Sequence, residues 1–167
     1  RRVGVTAQSH KAITNMLRAI DDAAREAGRP FRAIQRCETG DDADVLEAID
    51  LAANSEHVGA AMQAGRYDVA AGTPWLFARD GMQQSLDYLF IDEAGQTSLA
   101  DAVAMGTSAR NLVLLGDPQQ LANVSQGVHA ASSGLSVLEH LLRDAATVGE
   151  RNGLFLSRSW RMHPDVC

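Results

Sequence analysis

Two adjacent carboxylates follow an apolar run in a position that suits metal and water chemistry. Residues 86–96 read Leu-Asp-Tyr-Leu-Phe-Ile-Asp-Glu-Ala-Gly-Gln, so Asp92 and Glu93 come directly after a predicted buried strand. Open α/β sheets bind their ligands beyond the carboxyl ends of their strands. One carboxylate there can hold Mg²⁺, and its neighbour can orient or deprotonate an attacking water. The pair also suits a turn or a helix start, so it indicates catalysis only in combination with other motifs.

A second apolar run ends in polar residues of a different kind. Residues 111–121 read Asn-Leu-Val-Leu-Leu-Gly-Asp-Pro-Gln-Gln-Leu. Gly116 permits close approach of the backbone to a ligand, Asp117 can cap or bridge, and Gln120 can contact a phosphate oxygen or a water without adding charge. An ordinary Asp-Pro turn is the plain alternative. Two such strand ends in one chain make coincidence less likely.

An arginine near the C-terminus could complete a phosphate site. Arg161 lies in the run Ser-Trp-Arg-Met-His-Pro, where it could clamp a phosphate through two hydrogen bonds. In well-studied phosphoryl transfers such an arginine is worth about 10³–10⁵-fold in rate. Read alone, Arg161 is an arginine before a proline-ended turn, and His163 fits a structural histidine better than a ligand.

The elements that must position these side chains are those of an α/β fold. Apolar runs of strand length alternate with stretches of helical period, which predicts a parallel sheet wrapped by helices. A helix of period 3.6 precedes Gly28 and Pro30, residues 41–64 read as one or two surface helices, and Ser136 with Glu139 has capping-box spacing. The predicted strands are residues 3–6, 31–36, 67–72, 88–91, 111–115 and 153–156.

Composition sets the broad class of the chain. Its 167 residues are 46% hydrophobic and 22% charged, which allows one globular domain and excludes a disordered tail or a collagen-like fibre. With no apolar run of about 18 residues and no secretory leader visible, a cytoplasmic protein without a membrane span is expected. Cys37 and Cys167 lack the spacing of a zinc site.

The net charge of -6 conceals a strong asymmetry along the chain. The first 36 residues carry eight basic and three acidic side chains, whereas residues 37–56 carry seven acidic side chains and no basic one. The basic segment could provide a local footprint for phosphates, and solvated helix surface is the alternative interpretation of both clusters.

In combination, the motifs resemble those of the superfamily 1 helicases, in the branch with the DNA2-like and nonsense-decay helicases. Residues 92–96 resemble motif II, residues 116–121 motif III and residues 160–164 motif IV, in matching order and spacing. Residues 5–13 resemble motif Ia, and residues 71–74 lie where another nucleic-acid-contacting motif does. The resemblance covers nearly the whole chain. It is strongest to bacterial proteins in which the helicase follows a RecB-like nuclease, although no nuclease residues occur here.

The resemblance implies a RecA-like fold of the P-loop NTPase type that uses ATP and Mg²⁺. Asp92 would bind Mg²⁺, Glu93 would activate the hydrolytic water, and Arg161 would contact the γ-phosphate. Gln120 would couple the γ-phosphate to movement on the strand. Gln96 would link the nucleotide site to motif III or to a second motor domain, and Gly116 and Asp117 would also belong to the nucleotide site. Trp160 stands where a tyrosine is commoner.

The resemblance also implies a partner, namely single-stranded nucleic acid, with DNA expected before RNA. The residues that would contact the strand backbone are Thr6, Ser9, His10 and Thr73. Hydroxyls and amides commonly make such contacts, which position a nucleic acid without reading its sequence.

One part of the family's catalytic machinery is absent from the sequence. The phosphate loop has the pattern Gly-x-x-x-x-Gly-Lys-[Ser/Thr], and the single lysine, Lys11, follows His10 instead of glycine. The resemblance places that loop upstream of motif Ia, so residues 1–167 are expected to be a partial first RecA-like domain, with motifs Ia to IV but without the Walker A motif. The missing phosphate-loop strand is expected to leave a gap beside the motif III strand. The second RecA-like domain is also outside the chain.

Two further interpretations remain. The chain could be a degenerate, nucleotide-independent module that binds nucleic acid or acts as a scaffold, although such a module would not need Asp92, Glu93, Gln120 and Arg161 together. A nuclease that uses Asp92 and Glu93 as metal ligands is weaker, because no third acid or lysine has suitable spacing.

We expect the 167-residue chain to hydrolyse Mg-ATP at a negligible rate, because one carboxylate without a phosphate loop should not retain Mg-ATP. Phosphate release should match the background given by the Glu93→Gln chain. Hydrolysis that Glu93→Gln abolishes would contradict this expectation.

Overall fold

The structure is a computed structural model that describes residues 1–37, 48–119, 135–143, 145 and 147–157. Six parallel strands form one sheet in the order β3-β2-β4-β1-β5-β6. The strands are β1 (Val3–Thr6), β2 (Ala33–Arg36), β3 (Ile49–Ala52), β4 (Val69–Gly72), β5 (Leu86–Ile91) and β6 (Ala109–Leu114). The helices are α1 (His10–Glu26), α2 (Ser55–Gln63), α3 (Pro74–Phe77), α4 (Leu99–Gly106) and α5 (Val137–Leu142), with short 3-10 turns at Asp80–Met82 and Ala94–Gln96.

The central strand β1 sets the register of the sheet. It pairs with β4 on one side and β5 on the other, so that Thr6 lies opposite both Gly72 and Ile91. All the strands run in the same direction, and their carboxyl ends therefore meet at one edge of the sheet. That edge collects the segments that follow β1, β4, β5 and β6.

The two faces of the sheet bury separate hydrophobic clusters. On one face, α1 packs Ile13 and Leu17 against Val5 and its neighbours. On the other face, α2, α3, α4 and α5 contribute to a larger cluster that includes Phe77 and Met105. Parallel sheets are covered on both faces because crossover helices lie on them.

Gly4 allows the larger cluster to pack directly against the centre of the sheet. A Cβ atom at Gly4 would lie 2.6 Å from Leu86 Cδ1 and 2.9 Å from Phe77 Cε1. A larger residue at position 4 would therefore force these side chains to move.

Helix α1 ends where the sequence predicts, just before Gly28. The Ser9 hydroxyl accepts a hydrogen bond from the Ala12 N–H at 3.2 Å, which satisfies one of the unpaired amides of the first turn. At the other end, Gly28 has a φ of 61°, a left-handed conformation that glycine adopts without steric cost. The capping box of α5, formed by Ser136 and Glu139, is also confirmed.

The predicted α/β fold is confirmed, and the predictions of individual elements meet with mixed success. The five strands predicted before residue 116 are present, with ends that shift by up to two residues. The prediction of only helices over residues 41–64 is wrong, since β3 occupies Ile49–Ala52 before α2 begins. The predicted strand at 153–156 is also wrong, because this segment pairs with no strand among the described residues and Leu154 and Leu156 are 89% and 86% exposed.

The motif III strand, β6, lies at an edge of the sheet, and the missing strand expected beside it stays a prediction. Within the described part of the chain, β6 has a single strand neighbour, β5, and Leu112 on β6 is exposed. The five other strands form an uninterrupted sheet. Among the helices that the structure describes, none has both the length and the apolar character needed to cross a membrane.

Asp87 joins the start of β1 to β5. Its Oδ2 accepts a hydrogen bond from the Arg2 N–H at 2.9 Å, and its own N–H donates to the Arg2 carbonyl at 2.8 Å. The hydrogen bond from the Arg2 amide is the largest cause that holds the pKa of Asp87 below its usual value of 3.8.

Asp87 should therefore contribute to stability above its usual pKa and lose that contribution as the pH falls below about 3.8. We expect Asp87→Asn to flatten the loss of unfolding free energy on the acid side, as measured by urea unfolding at several pH values between about 3 and 6. Asp22→Asn, at an exposed site on α1, serves as the control. An unchanged acid-side slope in Asp87→Asn would contradict the assignment.

Candidate active site

The loops that follow β5 and β6 are in direct contact at the carboxyl edge of the sheet. Ile91 lies opposite Leu114 in the register of the two strands, and the Leu115 N–H donates to the Ile91 carbonyl at 2.9 Å. Beyond the strands, the Ala94 N–H donates back to the Leu115 carbonyl at 2.8 Å. The segments 92–96 and 115–119, predicted from sequence as two separate motifs, therefore form one structural unit.

The carboxylate pair lies on a sharp change of backbone direction. The Asp92 N–H donates to the Thr6 carbonyl at 2.9 Å, which continues the pairing of β5 with β1, and the Asp92 side chain is half-buried. Glu93 then adopts φ 52° and ψ 42°, a left-handed conformation that is uncommon for a residue other than glycine. Such a conformation costs on the order of 1–3 kcal/mol and recurs at active sites.

Two glycines allow the loops to approach this closely. A Cβ atom at Gly95 would lie 2.5 Å from the Asp117 carbonyl oxygen, and one at Gly116 would lie 2.9 Å from the Ala94 nitrogen. Both distances are shorter than a real Cβ atom can tolerate, and the obstacles are backbone atoms. Gly116 was predicted to permit a close approach to a ligand, whereas in the structure it permits the approach of the neighbouring loop.

Helices α4 and α5 hold the first loop from the other side. The Val137 N–H donates to the Thr97 carbonyl at 2.9 Å, and the Leu99 N–H donates to the Leu135 carbonyl at 3.1 Å. These two bonds flank a bridge between Ser98 and Ser136, the N-cap residues of α4 and α5. This bridge was not predicted, although the Ser-x-x-Asp and Ser-x-x-Glu patterns at the two helix starts are visible in the sequence.

Asp117 and Gln96 take up defined positions in the two loops. Asp117 is exposed, and its Oδ1 accepts a hydrogen bond from the Gln119 N–H at 2.9 Å, so it caps its own turn. Gln96 is half-buried, and its N–H donates to the Glu93 carbonyl at 2.8 Å. Gln120 and Arg161, the other two predicted catalytic residues, lie outside the described residues.

The residues predicted to contact nucleic acid lie at the same edge of the sheet. Ser9 and His10 start α1, and Thr73 precedes α3 at the end of β4. Thr6 differs from them, because it is 0% exposed and its Oγ1 has no hydrogen-bond partner among the described residues. In this arrangement the Thr6 hydroxyl is inaccessible to a nucleic acid bound on the surface.

The donor set at this edge can contribute one carboxylate to a bound Mg²⁺. Among the residues described, no group of three or more His, Cys, Asp or Glu side chains is placed to hold a metal ion. Mg²⁺ keeps several waters and is bound through one or two carboxylates together with substrate phosphates. Asp92 therefore fits as the protein ligand of a metal that arrives with a nucleotide, and the edge does not fit a metal held by protein ligands alone.

Comparison with known proteins matches this chain to one family. A family model described as an AAA domain matches residues 13–147. The match begins inside α1 and includes β2 to β6, both contacting loops and α5. No curated protein matches the chain. The six-stranded parallel sheet with flanking helices is the RecA-like fold of P-loop NTPases, which agrees with this match.

The contact between the two loops predicts a clear difference between glycine positions. We expect Gly95→Ala to lower the free energy of unfolding by about 1–3 kcal/mol, because the added methyl group would collide with the Asp117 carbonyl. Gly81→Ala is the matched control, since nothing lies within 4 Å of a Cβ atom there. Equal stability of the two variants in urea unfolding would show that the loops do not pack as described.

Proposed function

The chain belongs to the AAA domain family, and we propose that it forms part of an ATP-driven motor that moves along a single strand of nucleic acid. AAA domains are P-loop NTPase domains, so family membership supports nucleotide binding and hydrolysis in general. The contact between the loops after β5 and β6 carries the proposal, because it brings the carboxylate pair and the second polar strand end into one site. The superfamily 1 helicase branch is the specific form of the proposal, and the motif resemblance supports it.

In this proposal the two carboxylates have different tasks. Asp92 is held by the hydrogen bond from its backbone N–H to Thr6, in line with the strand, and it would ligate the Mg²⁺ that accompanies ATP. When bound, Mg²⁺ supplies positive charge that offsets the charge of the phosphates. Glu93 lies one residue later, after the backbone has turned into the left-handed region, and would accept a proton from the attacking water.

The second loop would transmit the state of the nucleotide. Since Ala94 is bonded to Leu115 and Gly95 packs on Asp117, a displacement of residues 92–96 must also displace residues 115–119. Gln96 lies in the same 3-10 turn and would link this movement to the second motor domain. The motif resemblance assigns Gln120 to strand coupling and Arg161 to the γ-phosphate.

The single strand of nucleic acid would lie across the segments that follow β1 and β4. Ser9, His10 and Thr73 stand at adjacent strand ends, and the first 36 residues carry most of the basic side chains of the chain. The buried Thr6 hydroxyl is assigned no contact with the nucleic acid, and Thr6 instead pairs with Gly72 of β4 and Ile91 of β5.

We expect the 167-residue chain to bind single-stranded DNA with an affinity that falls as salt rises, because phosphate contacts release counterions. Fluorescence anisotropy of a labelled oligonucleotide measures this affinity between about 50 and 200 mM salt. His10→Ala and Thr73→Ala should each weaken binding by about 3- to 10-fold, as expected for the loss of one hydrogen bond. Asn15→Ala, at an exposed site further along α1, should bind as the parent chain does.

Two outcomes would contradict the proposal. Binding that is insensitive to salt would exclude phosphate contacts at this edge. A longer protein that contains this chain and a phosphate loop should hydrolyse ATP faster with single strands present, and loss of Glu93 should abolish that hydrolysis. Hydrolysis unaffected by Glu93→Gln would exclude the proposed catalytic role.

A further inference from the structure

Trp75 is a large aromatic side chain that the fold directs into solvent. It belongs to α3, whose other two apolar members, Leu76 and Phe77, are 2% and 0% exposed, whereas Trp75 is 81% exposed. Burying an indole ring is strongly favourable, so exposure of this extent requires a structural reason.

That reason is the packing of α3 against the sheet. A Cβ atom at Gly72 would lie 2.6 Å from Leu76 Cδ2, and one at Gly4 would lie 2.9 Å from Phe77 Cε1. The positions on the sheet side of α3 are therefore filled by Leu76 and Phe77, and Pro74 restricts the backbone at the start of the helix. Trp75 is held outward by a short, well-anchored turn.

Trp75 stands at the edge where the strand is proposed to bind. It follows Thr73 by two residues, and β4 lies beside β1, with about 4.8 Å between the backbones of neighbouring strands. The segment after β1 leads to Ser9 and to the exposed Lys11. On the other side of β4, the Cβ of Arg36 lies 3.4 Å from the position that a Cβ of Gly72 would take. The two strands beside β4 thus each bring a positively charged residue to this edge of the sheet, Arg36 at the end of β2 and Lys11 after β1.

Two of the three exposed residues that directly follow α3 are charged. Ala78, Arg79 and Asp80 follow α3 and are all exposed. A surface that docks another protein usually has a contiguous apolar patch. Exposed aromatic rings among basic groups are instead typical of surfaces that bind single-stranded nucleic acid, where bases stack on the rings and the basic groups follow the backbone.

We propose that Trp75 is a stacking platform for an unpaired base of the bound strand. This inference rests on the proposed function, and it adds a contact with a base to contacts with phosphates and sugars. Stacking uses the π-face that every base has, so Trp75 would hold any sequence and would favour single strands over duplexes, whose bases are already stacked. The substrate class is a single-stranded polynucleotide with at least one accessible base.

Tryptophan fluorescence tests the contact directly. The chain has two tryptophans, Trp75 and Trp160, so a Trp160→Phe background leaves Trp75 as the reporter. A single-stranded deoxyadenosine oligonucleotide should quench this fluorescence on binding. Trp75→Ala should weaken binding by about 5- to 100-fold, and Trp75→Phe should retain most of the affinity because it keeps an aromatic face. Leu141→Ala, which shortens another exposed apolar side chain, should leave binding unchanged.

An abasic oligonucleotide of equal length separates base stacking from phosphate contacts. It should bind with a similar dependence on salt, it should not quench Trp75, and its affinity should be unaffected by Trp75→Ala. An equal loss of affinity for abasic and normal strands in Trp75→Ala would overturn the stacking role, because the side chain would then act through the fold.

The remaining outcomes distinguish this inference from the function on which it rests. Salt-dependent binding without quenching, and with Trp75→Ala equal to the parent chain, would overturn the stacking platform and leave the proposed motor function intact. No binding of any single strand by the folded chain would overturn both.

Discussion

The hydrogen bond from the Ala94 amide to the Leu115 carbonyl is the contact on which the organisation of the site depends. Leu115 directly follows β6 and also donates its N–H to the Ile91 carbonyl, so this contact extends the pairing of two strands into a pairing of two loops. Gly95 and Gly116 are the residues that make the distance possible, since each would place a Cβ atom within 3 Å of backbone atoms of the opposite loop. The position of the carboxylate pair relative to the second strand end is therefore determined by backbone contacts.

The larger hydrophobic cluster reinforces this arrangement. The Cδ1 of Leu138 on α5 lies 3.4 Å from the position that a Cβ of Gly116 would take. The first residue of each of α4 and α5 donates its N–H to a carbonyl just before the other helix. A movement of the loops must consequently be accommodated by two helices that are capped at the same place. Interiors packed in this way respond to strain by switching between arrangements more readily than by gradual deformation.

Sequence patterns predicted five of the six strands and missed β3. β5 and β6 contain the apolar runs 88–91 and 112–114, whereas β3 buries only Ile49 and Ala52 and lies in an acidic, alanine-rich region that resembles a helix surface. Residues 153–156 have the composition of a strand, but a strand exists only where a neighbour accepts and donates hydrogen bonds. Composition alone does not show whether that neighbour is present.

In the candidate site, too, residue types could be predicted from the sequence, but contacts between distant residues could not. Asp92 and Glu93 could be proposed as site residues because their residue types and their position directly after an apolar run are visible in the sequence. The contact of Gly95 with Asp117 was not identifiable, because it joins residues that are distant in sequence through main-chain atoms. Thr6 was predicted to face a ligand, yet its side chain lies at a buried position of the central strand, a distinction that depends on which face of the sheet the residue occupies. Trp75 was overlooked because its neighbours in sequence are apolar and buried.

The Ser9 hydroxyl has a further consequence for how a strand would be held. It already accepts the Ala12 amide hydrogen, and a hydroxyl retains one hydrogen to donate and a second lone pair. A phosphate oxygen that accepts this remaining hydrogen would bind without displacing the helix cap. The two hydrogen bonds, one from the amide to the hydroxyl and one from the hydroxyl to the phosphate, would polarise and strengthen each other. Binding of the nucleic acid and order in the first turn of α1 would then be coupled in both directions. Tighter binding would suppress fraying of the turn, and fraying would weaken binding.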